Sequence, residues 1–144
     1  MHVFADTSGL YALIDADDRF HSRASRAWRD LLSAGSGIAL HQFVLLETWS
    51  LLQARLGLDA VEVFVRDFLP LMRVEPVSEP LLSRAMTRCR AARVRDLSLT
   101  DCVSIEFMLD RGIESALAFD RHFRESGVRL PGDRTWLSQA DGDG

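Results

Sequence analysis

The chain of 144 residues has no lysine at all, so its 17 basic residues are arginine throughout. Arginine forks onto phosphate and carboxylate in bidentate fashion, although the lysine gap is read first as a composition bias of the genome. Cysteine is almost as scarce. Cys89 and Cys102 stand in no paired metal-ligand spacing, and each falls among apolar neighbours in an expected helix. They read as reduced core thiols, which sets aside a disulfide framework or a zinc site. No apolar run approaches the roughly 20 residues needed to cross a bilayer. The opening MHVFADTS reads as a strand entering a loop and not as a signal peptide, so a soluble, cytoplasmic protein without a membrane anchor is expected. With a formal charge of -4, the chain has no global attraction for nucleic acid. Any such contact has to be local.

What is present is enough apolar surface, 47% of the residues, for one sizeable core. One domain over residues 1–137 is expected, with 138–144 as a flexible tail. Residues 2–6 read as a buried strand, followed by the turn chemistry of Thr7, Ser8 and Gly9 and a short helix through Leu10, Leu13 and Ile14. Residues 20–34 form an amphipathic helix closed by Gly35 and Gly37. A strand at 38–40, helices at 43–56 and 59–71, and a weak edge strand at 73–77 containing Pro76 come next. Helices at 79–93 and 98–110, a strand at 116–119 and a short fifth strand at 128–130 complete the pattern. Strands alternating with helices imply a parallel sheet covered on both faces.

Four acids stand where folding alone would favour an apolar or neutral residue. Asp6 and Asp120 each follow a strand-like run, and each also reads as an N-cap for the next helix. Open parallel sheets bind ligands at the carboxyl ends of their strands, where strand order reverses. Both acids point at that crevice if their strands are neighbours. Glu47 shares a helix face with Phe43, Val44 and Leu51, so its carboxylate is expected along an apolar stripe. Asp101 follows Ser98 by three residues and fits a capping arrangement, yet Leu97 and Ile105 at i−4 and i+4 also turn it toward the packed side. Half-buried carboxylates repel one another and lose hydration unless something positive joins them. A set without His or Cys suits Mg²⁺ or Mn²⁺ better than zinc. Such sites commonly serve phosphate chemistry, in which the ion lowers the pKa of a bound water and neutralises the leaving oxygen.

In this order the residues resemble the PIN-domain family, and within it the VapC-type toxins of bacterial toxin-antitoxin pairs. The likeness rests on the strand running into Asp6-Thr7-Ser8 and on Asp17-Asp18-Arg19-Phe20-His21 before the second helix. It rests equally on Glu47 in an early helix, Leu99-Thr100-Asp101 opening a late one, and Phe119-Asp120-Arg121-His122-Phe123 after a strand. It runs from Met1 to about Leu137. The resemblance implies a three-layer α/β/α sandwich with a five-stranded parallel sheet. It also implies a Mg²⁺- or Mn²⁺-dependent endoribonuclease that hydrolyses RNA phosphodiester bonds with metal-activated water. By matching position Asp6, Glu47, Asp101 and Asp120 become its four acids, with Asp6 and Asp101 touching the metal and Ser8 bonding to the Asp6 side. A small cognate antitoxin and a homodimer follow from the same resemblance.

No nucleophilic Ser, Cys or His is needed on this reading, so His21, His41 and His122 are expected to be structural or surface residues. Arg84, Arg88, Arg90, Arg93 and Arg95 form the densest basic stretch, readable as an RNA contact or as a solvated helix face with salt bridges. A housekeeping RNA-processing nuclease would carry the same site. A non-catalytic metal-binding signalling module is the alternative from another class, and it would need a lysine near the acids.

Overall fold

Four short strands lie parallel in the order β3-β2-β1-β4: β1 (His2–Ala5), β2 (Gly37–His41), β3 (Arg73–Glu75) and β4 (Ala116–Leu117). This computed structural model describes residues 1–137, and the expected tail at 138–144 lies outside the described residues. Val3, Phe4 and Ala5 of β1 and Ile38, Ala39 and Leu40 of β2 are buried, as continuous apolar runs in a sheet covered on both faces must be. β3 is mostly exposed, and with Pro76 immediately after it takes the edge. The fold is the expected three-layer α/β/α sandwich with one fewer strand. The predicted strand at 128–130 is reduced to a single parallel bridge between Ser115 and Arg129. Its extension is blocked because the Leu130 N–H is taken by the Asp133 carboxylate at 2.8 Å and Pro131 has no N–H to give.

The helices are α1 (Thr7–Ile14), α2 (His21–Ser33), α3 (Gln42–Arg55), α4 (Leu58–Val63), α5 (Glu79–Ala92), α6 (Leu99–Arg111) and α7 (Arg121–Glu125). The expected single helix over 59–71 breaks up after α4 into a π-helical turn at Phe64–Phe68 and a 3₁₀ turn at Leu69–Leu71. Pro70 removes a donor there, so the α ladder cannot continue. No described helix is long and apolar enough to cross a membrane. Cys89 and Cys102 are both free thiols, the second buried.

Phe4 is the hub of the core. Its ring lies 5.7 Å from His41, 5.6 Å from Phe107 and 6.2 Å from Phe123, so one side chain of β1 joins β2, α6 and α7. Gly9 fixes α1 against β4 even more closely. A Cβ at this position would lie 2.1 Å from the Leu117 carbonyl oxygen, so only glycine lets the helix seat on the strand end.

His41 caps α3 with an imidazole in place of the usual hydroxyl or carboxylate. Its Nδ1 accepts from the backbone N–H of Phe43 at 3.2 Å and of Val44 at 3.3 Å. The ring hydrogen is therefore on Nε2, which donates to Ser104 Oγ at 2.9 Å, and Ser104 donates on to the Thr100 carbonyl at 3.0 Å. Protonation would set N–H against N–H. Burial, with the Arg111 charge adding to it, pushes the ring down from its usual 6.5 to about 4.

Two outcomes follow from this packing. Gly9→Ala should lose about 2 kcal/mol or more of unfolding free energy through overpacking, read by urea titration. A ring whose folded pKa is depressed contributes stability above pH 6.5 that is lost as pH falls toward 4, about 3 kcal/mol in all. NMR titration of His41 should accordingly show a midpoint near 4, and a midpoint at the free-histidine value would refute the neutral cap.

Candidate active site

β1 and β4 are neighbours, with β2 and β3 on one side of β1 and β4 on the other, so strand order reverses between them. The two strand ends whose adjacency the sequence left open do adjoin, and they form the crevice where such sheets bind ligands. Asp6 directly follows β1, and its N–H still bonds to the Leu117 carbonyl of β4 at 3.1 Å. Asp120 follows β4 after two intervening residues, Ala118 and Phe119.

Asp6 is 5% exposed. Its Oδ2 accepts from the Ser8 backbone N–H at 3.1 Å and from the Ser8 hydroxyl at 2.7 Å, and that hydroxyl accepts in turn from the Phe119 N–H at 3.0 Å. The expected Ser8 bond is therefore present and reaches across to β4. Burial pushes the Asp6 carboxyl up to about 7. The Ser8 bonds oppose that rise, and the negative charges of Asp101 and Glu47 add to it.

Asp101 is the third residue of α6 and completes a capping box with Ser98. Ser98 N–H donates to its Oδ2 at 3.1 Å, while its own N–H donates to Ser98 Oγ at 3.0 Å. Burial raises its carboxyl above the usual range, the Ser98 bonds hold it back and the Asp120 charge raises it further. Asp120 is half-buried and caps α7, its Oδ1 accepting from the His122 N–H at 2.9 Å. Three helices thus begin at the site, and the partial positive charge of their N-termini faces the acids.

Glu47 departs from expectation. It is exposed, and the inward line of α3 is Val44, Thr48 and Leu52, spaced four residues apart. Glu47 sits about 100° around the helix from that line. Its neighbour Thr48 is the buried polar residue of this helix, with its hydroxyl bonded to Thr7 Oγ1 at 3.2 Å. Glu47 still lies within electrostatic reach of Asp6.

The acids are linked in the order Glu47, Asp6, Asp101, Asp120, and they do not form a ready-made cage. Among the described residues no three His, Cys, Asp or Glu side chains converge closely enough to hold a metal ion as they stand. Each of the three aspartates has committed one oxygen to a helix cap, and like charges hold one another apart. The remaining oxygens, Oδ1 of Asp6 and Asp101 and Oδ2 of Asp120, have no protein partner among the described residues. An all-oxygen donor set of this kind fits a hard divalent cation.

Sequence reading missed the wall of the site. Asp96 pairs with Arg121 through its carboxylate, and its carbonyl accepts from the buried His122 Nε2 at 3.2 Å. Phe20 and Phe119 stack at 4.7 Å with planes 3° apart, and Arg19 lies over Phe20 at 4.6 Å. No periodicity could reveal contacts between such short, separate loops. His21 is structural as expected, its Nδ1 donating to the Ala12 carbonyl at 2.7 Å.

A carboxyl raised in the folded state contributes stability below its unfolded pKa of 3.8, and that stability is lost as pH rises through about 7. Asp6→Asn keeps the cap and removes the charge. In chelator at pH 8 it should unfold at higher urea, by about 2 to 4 kcal/mol, and the gain should vanish near pH 4. A variant no more stable than the parent at pH 8 would show that Asp6 carries no such cost.

A family model for the PIN domain matches residues 3–128. The 23S rRNA-specific endonuclease VapC20 of Mycobacterium tuberculosis is 34% identical over 126 residues, which is 87% of this chain and 94% of that protein. The crystal structure of Mycobacterium tuberculosis VapC20, described as a sarcin-ricin loop cleaving toxin, aligns with a TM-score of 0.75 at 33% identity, covering 88% of this chain and 95% of its own. FitAcB from Neisseria gonorrhoeae shares the fold at 16% identity and a TM-score of 0.65, covering 90% and 96% of the two chains. Matched by the family model from the first strand to the bridge that replaces the fifth, the chain belongs to the PIN-domain family.

Proposed function

We propose that this protein is a Mg²⁺- or Mn²⁺-dependent endoribonuclease and the toxin of a type II toxin-antitoxin pair. The observation that carries the reading is the buried Asp6 carboxylate at the switch point, its charge opposed by Asp101 and Glu47 and compensated by no cationic side chain bonded to it among the described residues. The naming of its relative VapC20 as a 23S rRNA-specific endonuclease and toxin supports RNA as the substrate class.

Asp6 and Asp101 would hold the ion through the oxygens their caps leave unengaged, with Asp120 and Glu47 on either side. When bound, a divalent cation supplies polarisation of the phosphoryl oxygen and a water acidic enough to ionise near neutral pH. The chain's own part is positional. Ser8 locks the Asp6 rotamer from two directions, the Ser98 box fixes Asp101 at the start of α6, and the His41–Ser104–Thr100 relay ties that turn to β2. His122, with Nε2 engaged by a carbonyl, orients the α7 end of the site and does not need to act as a base.

A protein partner fits the opposite flank. Leu46 and Trp49 stand 65% and 41% exposed on α3, flanking Glu47 in sequence, and Leu58 at the start of α4 stands 69% exposed. That apolar face suits a small antitoxin helix, and it favours the toxin over a housekeeping RNA-processing enzyme that works alone. A homodimer and action in the cytoplasm belong to the same proposal.

Cleavage of single-stranded and ribosomal RNA should require Mg²⁺ or Mn²⁺ and stop in chelator. Asp6→Asn and Asp101→Asn should each lower the rate by at least about 10²-fold, with the exposed Glu47→Gln losing less. Activity that persists in chelator, or in both aspartate variants, would overturn the mechanism.

A further inference from the structure

The five arginines between Arg84 and Arg95 divide into two sets. Arg84 and Arg88 face α6. Arg88 Nε lies 2.8 Å from Glu106, and Arg84 lies 3.5 Å from both Glu106 and Asp110. Arg90, Arg93 and Arg95 are exposed, and none pairs with a carboxylate among the described residues. They line an open cleft of about 710 Å³ whose wall contains no acidic residue. Three guanidinium groups gathered without a counter-charge raise the local potential and call for an anion. The negative end of α5 accounts for Arg90 in its last turn. It does not account for the two arginines of the loop beyond.

Arg93 adds a second observation. It is the one non-glycine residue with positive φ, 53°, among the described residues, and it ends α5 where Gly112 ends α6. Glycine takes that conformation without strain and is the usual choice there. Strain of this kind gathers where a side chain is needed for a purpose other than folding.

The cleft is joined to the acids through the loop that follows it. The loop after Arg95 passes through Asp96, whose contacts to Arg121 and His122 pin it beside Asp120, and then reaches Ser98, which caps the helix that bears Asp101. The other arginine cluster is less suited to a polyanion. Arg23, Arg26 and Arg124 share a cavity of about 330 Å³ with Asp30 and Asp133, and Arg124 is already paired to Asp133 at 2.9 Å.

We infer that Arg90, Arg93 and Arg95 form a phosphate-backbone site for the RNA strand beside the scissile bond, an inference that rests on the ribonuclease reading above. The acids, with their cation, take the phosphate that is cut, and the arginine cleft takes its neighbours along the strand. Arginine suits the task because its fork meets two phosphate oxygens at once.

The test is binding of a fluorescently labelled single-stranded RNA to the full chain in chelator, followed by anisotropy across a salt series. Arg90→Gln/Arg93→Gly/Arg95→Gln should bind at least about tenfold more weakly, and its slope of log affinity against log salt should be shallower by about 2, from three contacts of about 0.7 each. Its thermal midpoint should match or exceed the parent's, since glycine relieves the backbone at 93. The pair Arg90→Gln/Arg95→Gln, which leaves the turn untouched, should show an intermediate loss. Arg84→Gln/Arg88→Gln should lower the thermal midpoint and leave the salt slope as it was. A triple variant with the parent's affinity and slope overturns the site and leaves the ribonuclease standing. A parent protein that neither binds nor cleaves RNA overturns both.

Discussion

The Ser8 hydroxyl gives one hydrogen bond and takes another, and through those two bonds the ends of β1 and β4 are held together with the acids they carry. Neither strand is long, and β4 has only two residues. A short parallel pair provides few ladder bonds to fix its own register. The Ser8 bridge and the close seating of Gly9 on Leu117 supply what the ladder lacks. The crevice is therefore set by α1 as much as by the sheet, and the first turn of that helix is the scaffold of its acids.

Charge is distributed around this scaffold in opposed regions. The acids gather where α1, α6 and α7 begin, and Arg90, Arg93 and Arg95, without a carboxylate partner among the described residues, gather where α5 ends. Helix N-termini contribute about 0.3–1 kcal/mol each at such distances, well short of what full burial of a carboxylate costs. The imbalance at Asp6 is thus a standing cost of the folded chain. Natural proteins commonly accept lower stability at the place where they act, and here burial puts that cost on Asp6 and also on Asp101.

Much of this arrangement was legible beforehand because it follows from local rules. Asp6 after an apolar strand, the Ser98 to Asp101 spacing and Pro76 at the edge each carry their own meaning within a few residues. The exposure of Glu47 is not legible in the sequence because α3 is apolar nearly all round. Leu46 and Trp49 are as hydrophobic as Val44 and Leu52 yet face outward, so periodicity offered no contrast and the buried line ran through a threonine. The fifth strand failed for a reason of another kind, a competition within one turn in which Asp133 captures the Leu130 amide that the strand would have used. The Asp96 contacts to α7 join residues 25 and 26 positions apart, and no local pattern encodes them.

Capping and ligation are alternative readings of the same acids, and the caps seen in the structure leave room for both. Asp6, Asp101 and Asp120 each spend one oxygen on a helix start and leave the other without a protein partner among the described residues. Mutational drift toward an inert descendant is thereby constrained. Alanine at any of these positions removes a helix cap along with the charge, whereas asparagine can silence the acid and keep the helix. Descendants that lose the charge and keep the fold should carry amides in place of these acids, so that the shape of the crevice outlasts its charge.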